Sequence, residues 1–125
     1  MSKIKAILTR SHMILTAAAG LMGACGVAAA AAAAHVGGAQ KLFSVALVLL
    51  AHAAAILALT ARPGRLAAGA AWAMAFGASL FSFDVGLFTL RGAHLFPMAA
   101  PTGGITLILA WLTVVFAAAT DVRSK

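Results

Sequence analysis

The chain of 125 residues is apolar and basic: hydrophobic residues make up 64% of it, charged residues only 9%, and its formal net charge is +7. A soluble domain is typically about 45–50% apolar and about a quarter charged. The length fits a single domain, residues 1–125. Because the bases are spread over predicted loops and chain ends rather than clustered on one face, the charge does not indicate nucleic-acid binding.

Four apolar stretches predict membrane-spanning helices, at about residues 11–34, 42–61, 66–90 and 102–120. At 1.5 Å per residue each stretch covers about 28–37 Å, enough to cross the ~30 Å hydrocarbon core of a bilayer. They lack the polar outer faces that a soluble four-helix bundle needs. The predicted fold class is therefore all-α, an integral membrane bundle of four transmembrane helices.

The links between these stretches predict the topology. The links at 35–40 and 62–65 are so short that neighbouring helices should run antiparallel, as in an up-down bundle. Seven bases lie at the N-terminus, in the 62–65 turn and at the C-terminus, whereas only Lys41 and Arg91 lie at the other links. The positive-inside rule then places both termini in the cytoplasm. The third link, 91–101, is too apolar for a solvated loop, so we expect it to lie in the interface or to tuck back onto the bundle.

The N-terminal segment has a second interpretation, because a basic start followed by an apolar, alanine-rich run also resembles a secretory signal. Met22 stands three residues before Cys25, where a lipoprotein cleavage box usually has Leu. This departure favours retention of the segment as the first spanning helix.

Small residues dominate the first predicted helix between positions 17 and 34. In lipid, small residues allow helix backbones to approach and make many van der Waals contacts. We therefore expect the first helix to be the most enclosed of the four, although alanine is abundant throughout the chain. The predicted helix-packing residues are Gly20, Gly23, Gly26, Gly77, Gly103 and Gly104.

Asp84 is the one acid inside a predicted span. A carboxylate in hydrocarbon costs about 2.5–3.5 kcal/mol even on the permissive insertion scale, so it should face the bundle, a partner or a water-filled niche. Counting helical rises places Asp84 about 10 Å and His52 about 15 Å below the outer surface. The predicted intramembrane polar cluster consists of Asp84, His52, Ser82, Thr106 and Arg91.

Three interpretations of this cluster remain open. In the first, Asp84 is structural: it accepts hydrogen bonds from His52, Ser82 or Thr106, or is neutralised by Arg91, and fixes the helix register. In the second, Asp84 and His52 form a proton or cation relay. In the third, Asp84 faces a second subunit and specifies assembly.

Other chemistry is not indicated. The four histidines include no i, i+4 pair and the chain has one cysteine, so no metal site is predicted. Only His52 lies at mid-depth, which leaves haem without a second axial ligand inside the chain. Cys25 sits among alanines and is expected to be a buried, inert thiol. We expect no catalytic residues, no enzymatic activity and no cofactor.

Several segments resemble the YgdD-like family of small membrane proteins, catalogued as domain of unknown function 423. The segment 20–35 resembles its Gly/Ala-rich first helix, and AHAAAILAL around His52 resembles its histidine-led second helix. Residues 80–84, LFSFD, are similar to its Leu-Phe-Ser-Gly-Asp motif, with Phe83 in place of Gly, and Ala33 replaces the Gly that would precede Ala-His. Residues 95–104, LFPMAAPTGG, are similar to its loop and entry into the last helix.

The resemblance implies four helices in a bacterial inner membrane and no established activity. The expected function is that of a structural or assembly unit, either a homo-oligomer or an accessory subunit of a membrane complex. Its expected partners are the lipid bilayer and other membrane proteins or copies of itself. The alternative is a small proton, ion or solute pathway using Asp84 and His52.

Overall fold

The computed structural model describes residues 2–123, with side chains described up to Thr120. Residues 2–123 form four α-helices and contain no strand, which confirms the all-α prediction. The helices are α1 (Lys3–His35), α2 (Leu42–Thr60), α3 (Arg65–Arg91) and α4 (Ala99–Arg123). All four are long and apolar enough to cross a membrane.

Three observed helix ends differ from the predicted spans by more than one residue. Helix α1 begins at Lys3 rather than at about residue 11, and α4 runs from Ala99 to Arg123 rather than from about 102 to 120. The Ser2 hydroxyl caps α1 by accepting a long hydrogen bond of 3.5 Å from the Lys5 N–H. Apolar patterning locates the hydrocarbon core, but charged residues continue a helix beyond it, so patterning alone does not mark helix ends.

Helix α2 lies between α1 and α3 and is the most buried of the four. In its most apolar stretch of 18 residues 44% are buried, compared with 22% in α1. The expectation that α1 is the most enclosed helix is therefore wrong. Small residues permit a close approach, but α1 has broad backbone contact with α2 and only sparse contact with α3.

Large apolar side chains occupy both the interior and the outside of the bundle. Leu15, Ile56 and Met74 belong to one buried core, which also includes Leu107 and Ala110 of α4. Phe76 and Phe83, on the outer faces, are 60% and 65% exposed, and other large apolar side chains there are exposed as well. Such continuous exposed apolar surface is typical of helices that face lipid.

Helices α3 and α4 approach most closely at two glycines. A Cβ atom on Gly103 would lie 2.7 Å from both the Gly77 carbonyl oxygen and the Phe81 backbone nitrogen. A Cβ atom on Gly77 would lie 2.9 Å from the Gly103 carbonyl oxygen. Because the obstructing atoms are backbone, neither side can yield by a change of rotamer, and any side chain at these positions would push the helices apart.

Of the other four predicted packing glycines, one makes a close contact with another helix and three do not. Gly26 is buried, and a Cβ atom there would lie 2.8 Å from Leu50 Cγ. Gly20, Gly23 and Gly104 have nothing within 4 Å of the same constructed atom. Packing within the chain therefore requires three of the six glycines and leaves the other three without a neighbour.

Gly103→Ala should lower the free energy of unfolding in mixed micelles by about 1–3 kcal/mol, because the added methyl group meets backbone atoms of α3. The matched control is Gly104→Ala on the same helix, where the methyl group meets nothing and the higher helix propensity of alanine applies. Denaturation followed by circular dichroism measures both variants. Equal stabilities for the two variants would contradict a close approach at Gly103.

Candidate functional site

The buried acid Asp84 lies in the last third of α3 and is 1% exposed. Seven residues later α3 ends, and Gly92 adopts the left-handed conformation at φ 68° while its N–H donates to the Phe88 carbonyl at 2.8 Å. Glycine suits this position because it has no Cβ atom to oppose a positive φ. The link 92–98 then returns over the end of the bundle, and Met98 takes a positive φ of 70° directly before α4 begins.

Asp84 takes its hydrogen bonds from this link. His94 Nδ1 lies 2.8 Å from Oδ2, and the Leu95 backbone N–H donates to Oδ1 at 2.7 Å. The carboxylate thus joins α3 to the link. The expectation that the link tucks back onto the bundle is confirmed.

The ring of Phe88 extends this contact to the first link. His94 stacks on Phe88 with ring centroids 4.4 Å apart and an interplanar angle of 14°. Lys41 Nζ, in the link between α1 and α2, lies 4.6 Å from the centroid of the same ring. We call Asp84, Phe88, His94, Leu95 and Lys41 the Asp84 cluster. At one end of the bundle it places a buried acid against His94, and it places Lys41 beside the Phe88 ring on which His94 stacks.

His52 forms a separate site in the middle of α2. Its Nδ1 lies 2.7 Å from the Val48 carbonyl oxygen, and the Trp111 indole N–H donates to its Nε2 at 3.1 Å. A carbonyl only accepts and an indole N–H only donates, so these partners assign the neutral tautomer with the proton on Nδ1. If His52 Nε2 also carried a proton, its N–H would face the Trp111 indole N–H, and two donors cannot form a hydrogen bond with each other.

The five residues of the predicted polar cluster are not joined to one another. Thr106 donates to the Thr102 carbonyl of its own helix at 2.8 Å, and the buried Ser82 hydroxyl has no partner. Arg91 is exposed at the end of α3. The prediction that Asp84 is paired with His52, Ser82, Thr106 or Arg91 is therefore wrong, because its side-chain hydrogen-bond partner is His94. Counting rises gives depth along a helix but not the direction in which each side chain points.

Sequence reasoning missed His94 and the Leu95 N–H as partners of Asp84. A usable signal was present, since a link that tucks into the membrane end of a bundle carries backbone N–H groups that need acceptors. Asp84 is the one acid within reach of that end. A second missed contact lies towards the other end, where the Trp72 indole N–H donates to the Ser11 hydroxyl at 2.9 Å and joins α3 to α1.

The described residues contain no group of three His, Cys, Asp or Glu side chains that could hold a metal ion. Cys25 is exposed on the surface of α1, so the expectation of a buried thiol is wrong. A scan against protein-family models, a search of curated proteins and a search of solved structures each find no match to the chain. Interpretation of function therefore depends on the geometry of the polar groups.

Asp84→Leu should release the link, because it removes both acceptor oxygens at nearly constant volume. Loss of the bond to the Leu95 N–H is expected to accelerate deuterium exchange of that amide by about 5–150-fold, the equivalent of 1–3 kcal/mol. Asp84→Asn keeps one acceptor oxygen and should exchange much closer to the wild-type rate.

Thr89→Val is the control, since the Thr89 hydroxyl bonds only within its own helix, to the Val85 carbonyl at 2.7 Å. Exchange resolved by mass spectrometry or NMR measures all three variants. A Leu95 amide that stays protected in Asp84→Leu would show that Asp84 does not hold the link in place.

Proposed function

We propose that the chain is a multi-pass membrane protein that acts as a structural or assembly unit, either as a homo-oligomer or as an accessory subunit of a membrane complex. It is proposed to carry no enzymatic activity. The observation that carries the proposal is that Asp84 and His52 are each engaged in holding parts of the bundle together, while a glycine face of α1 has no neighbour.

The polar contacts favour this function over a proton, ion or solute pathway through Asp84 and His52. A relay needs groups that exchange protons with each other or with an ordered chain of donors. Both nitrogens of His52 are engaged, by Val48 and Trp111, and both oxygens of Asp84 are engaged by the link. No hydrogen bond among the described residues connects the two side chains.

The open glycine face supports an assembly role. Gly20 and Gly23 lie one turn apart on α1, and at neither position does a constructed Cβ have an atom of another described helix within 4 Å. In lipid, such positions allow a second helix to approach the backbone closely, and contact of this kind drives membrane helices together. The face would accept a helix of a second copy or of another membrane protein.

The topology of the proposed unit follows from its charges and links. Seven bases lie at the two termini and in the 62–65 turn, whereas only two lie at the other links. This difference supports an up-down bundle with both termini in the cytoplasm. The resemblance of residues 20–35, 80–84 and 95–104 to YgdD-like proteins supports a bacterial inner membrane as the location. Bases at the membrane edges suit anionic lipid, and no nucleic-acid partner is proposed.

Gly23→Leu tests the assembly role, because a Cβ atom added at Gly23 has no neighbour within 4 Å among the described residues. We expect wild-type protein in mild detergent to give a subunit count above one by light scattering, or a stoichiometric partner. We expect Gly23→Leu to reduce that count or release the partner, with an unchanged thermal midpoint.

Ala28→Leu is the matched control, since Ala28 is exposed and points about 140° away from Gly23 around the same helix, at 3.6 residues per turn. It should retain the wild-type assembly. A wild-type monomer without a partner, or an assembly that Gly23→Leu leaves intact, would refute the role of this face.

A further inference from the structure

A cleft on the side of the bundle lies between α1 and α3, and residues of α2 form its base. Helices α1 and α3 are joined towards one end by the bond from Trp72 to Ser11, and their backbones otherwise have little contact. The cleft has a volume of about 360 Å³, which falls within the range of small-molecule sites. Its lining includes Met22 and Cys25 of α1, Leu49 of α2, and Ser79, Ser82 and Phe83 of α3.

Ser82 provides the polar feature of this cleft. It is 7% exposed, and its Oγ is the one buried side-chain nitrogen or oxygen in the described part of the chain that has no hydrogen-bond partner. By contrast, Thr89 and Thr106 satisfy their hydroxyls with the carbonyl four residues earlier, at 2.7 and 2.8 Å. An unpaired buried hydroxyl is unfavourable. The Ser82 hydroxyl therefore needs an acceptor, and rotation about its Cα–Cβ bond would turn it towards an acceptor bound in the cleft.

The lining of the cleft defines the chemistry of that ligand. Lys, Arg, Asp, Glu and His are absent from it, and most of its surface is apolar. An uncharged, largely apolar molecule therefore suits the cleft. Its polar side chains, Ser79, Ser82 and Cys25, all carry an O–H or S–H donor. A carbonyl oxygen suits these donors because it accepts a hydrogen bond and brings no further donor into an apolar site.

We propose that the cleft binds a membrane-soluble carbonyl compound, an uncharged apolar molecule that enters from the bilayer and accepts a hydrogen bond from Ser82. This site is distinct from the glycine face, since Gly23 and Cys25 point about 160° apart around α1. It is also distinct from the Asp84 cluster, whose hydrogen bonds are made with the link 92–98. Binding in the cleft and assembly through Gly23 can therefore be tested separately.

A benzophenone carrying a decyl chain is a suitable probe, because it is an apolar ketone that links covalently to nearby C–H groups on irradiation. The purified protein is reconstituted in phosphatidylcholine vesicles, irradiated with the probe and mapped by peptide mass spectrometry. Met22 in the cleft is 6% exposed, whereas Met13 on the outer face of α1 is 65% exposed. We expect labelling at Met22 to exceed labelling at Met13, the reverse of the order that exposure alone would give.

Ser82→Ala should lower the ratio of Met22 to Met13 labelling about 2–10-fold, the usual effect of one lost hydrogen bond. The substitution removes an unpaired hydroxyl, so the fold should persist, and the thermal midpoint checks this. Thr106→Val, on α4 and outside the cleft, should leave the ratio unchanged. An excess of dodecan-2-one should suppress Met22 labelling, and dodecane, which lacks the carbonyl, should not.

Labelling that follows exposure, with Met13 above Met22, would overturn the proposal. Met22 labelling that is unaffected by Ser82→Ala, or equally suppressed by the ketone and by the alkane, would also overturn it. Either of those results would mean that the cleft takes up any apolar chain without recognising a carbonyl.

Discussion

A carboxylate in a membrane helix needs hydrogen-bond donors, and a link that folds back onto the bundle needs acceptors for its backbone N–H groups. Asp84 meets both needs at once, because its two oxygens are bound by the Leu95 N–H and by the His94 ring. The position of His94 then allows its ring to stack on Phe88, beside which Lys41 also lies. One buried acid therefore positions the link between α3 and α4 and connects it to the link between α1 and α2.

Single indole hydrogen bonds join two helix pairs that have little or no backbone contact. Helices α2 and α4 have no close backbone contact within the described residues, yet Trp111 on α4 donates to His52 on α2. Helices α1 and α3 touch sparsely, and Trp72 donates to Ser11 across that gap. Where backbones do approach, as at Gly77 and Gly103, glycine replaces the side chains that would keep them apart. Polar side chains here hold together helices that lipid alone would not drive into contact.

The sequence predicts the four helices well because a run of about 20 apolar residues is a strong signal, and α2 and α3 begin and end within one residue of expectation. Burial of Asp84 was also predictable, since exposure to lipid is costly. Its partner was not, because the path of the link depends on positive φ angles at Gly92 and Met98 and on helix rotation. Composition likewise cannot distinguish Gly103, which touches α3, from Gly104, which touches nothing.

Proton flux across vesicles containing the folded protein tests most directly the central claim that Asp84 and His52 hold the bundle together. With reconstitution verified by circular dichroism, we expect no proton or cation leak above that of empty liposomes across about pH 5–8, where an ordinary histidine titrates. Asp84→Asn and His52→Gln should give the same baseline. Flux in wild-type vesicles that either substitution abolishes, with the fold retained, would contradict the account.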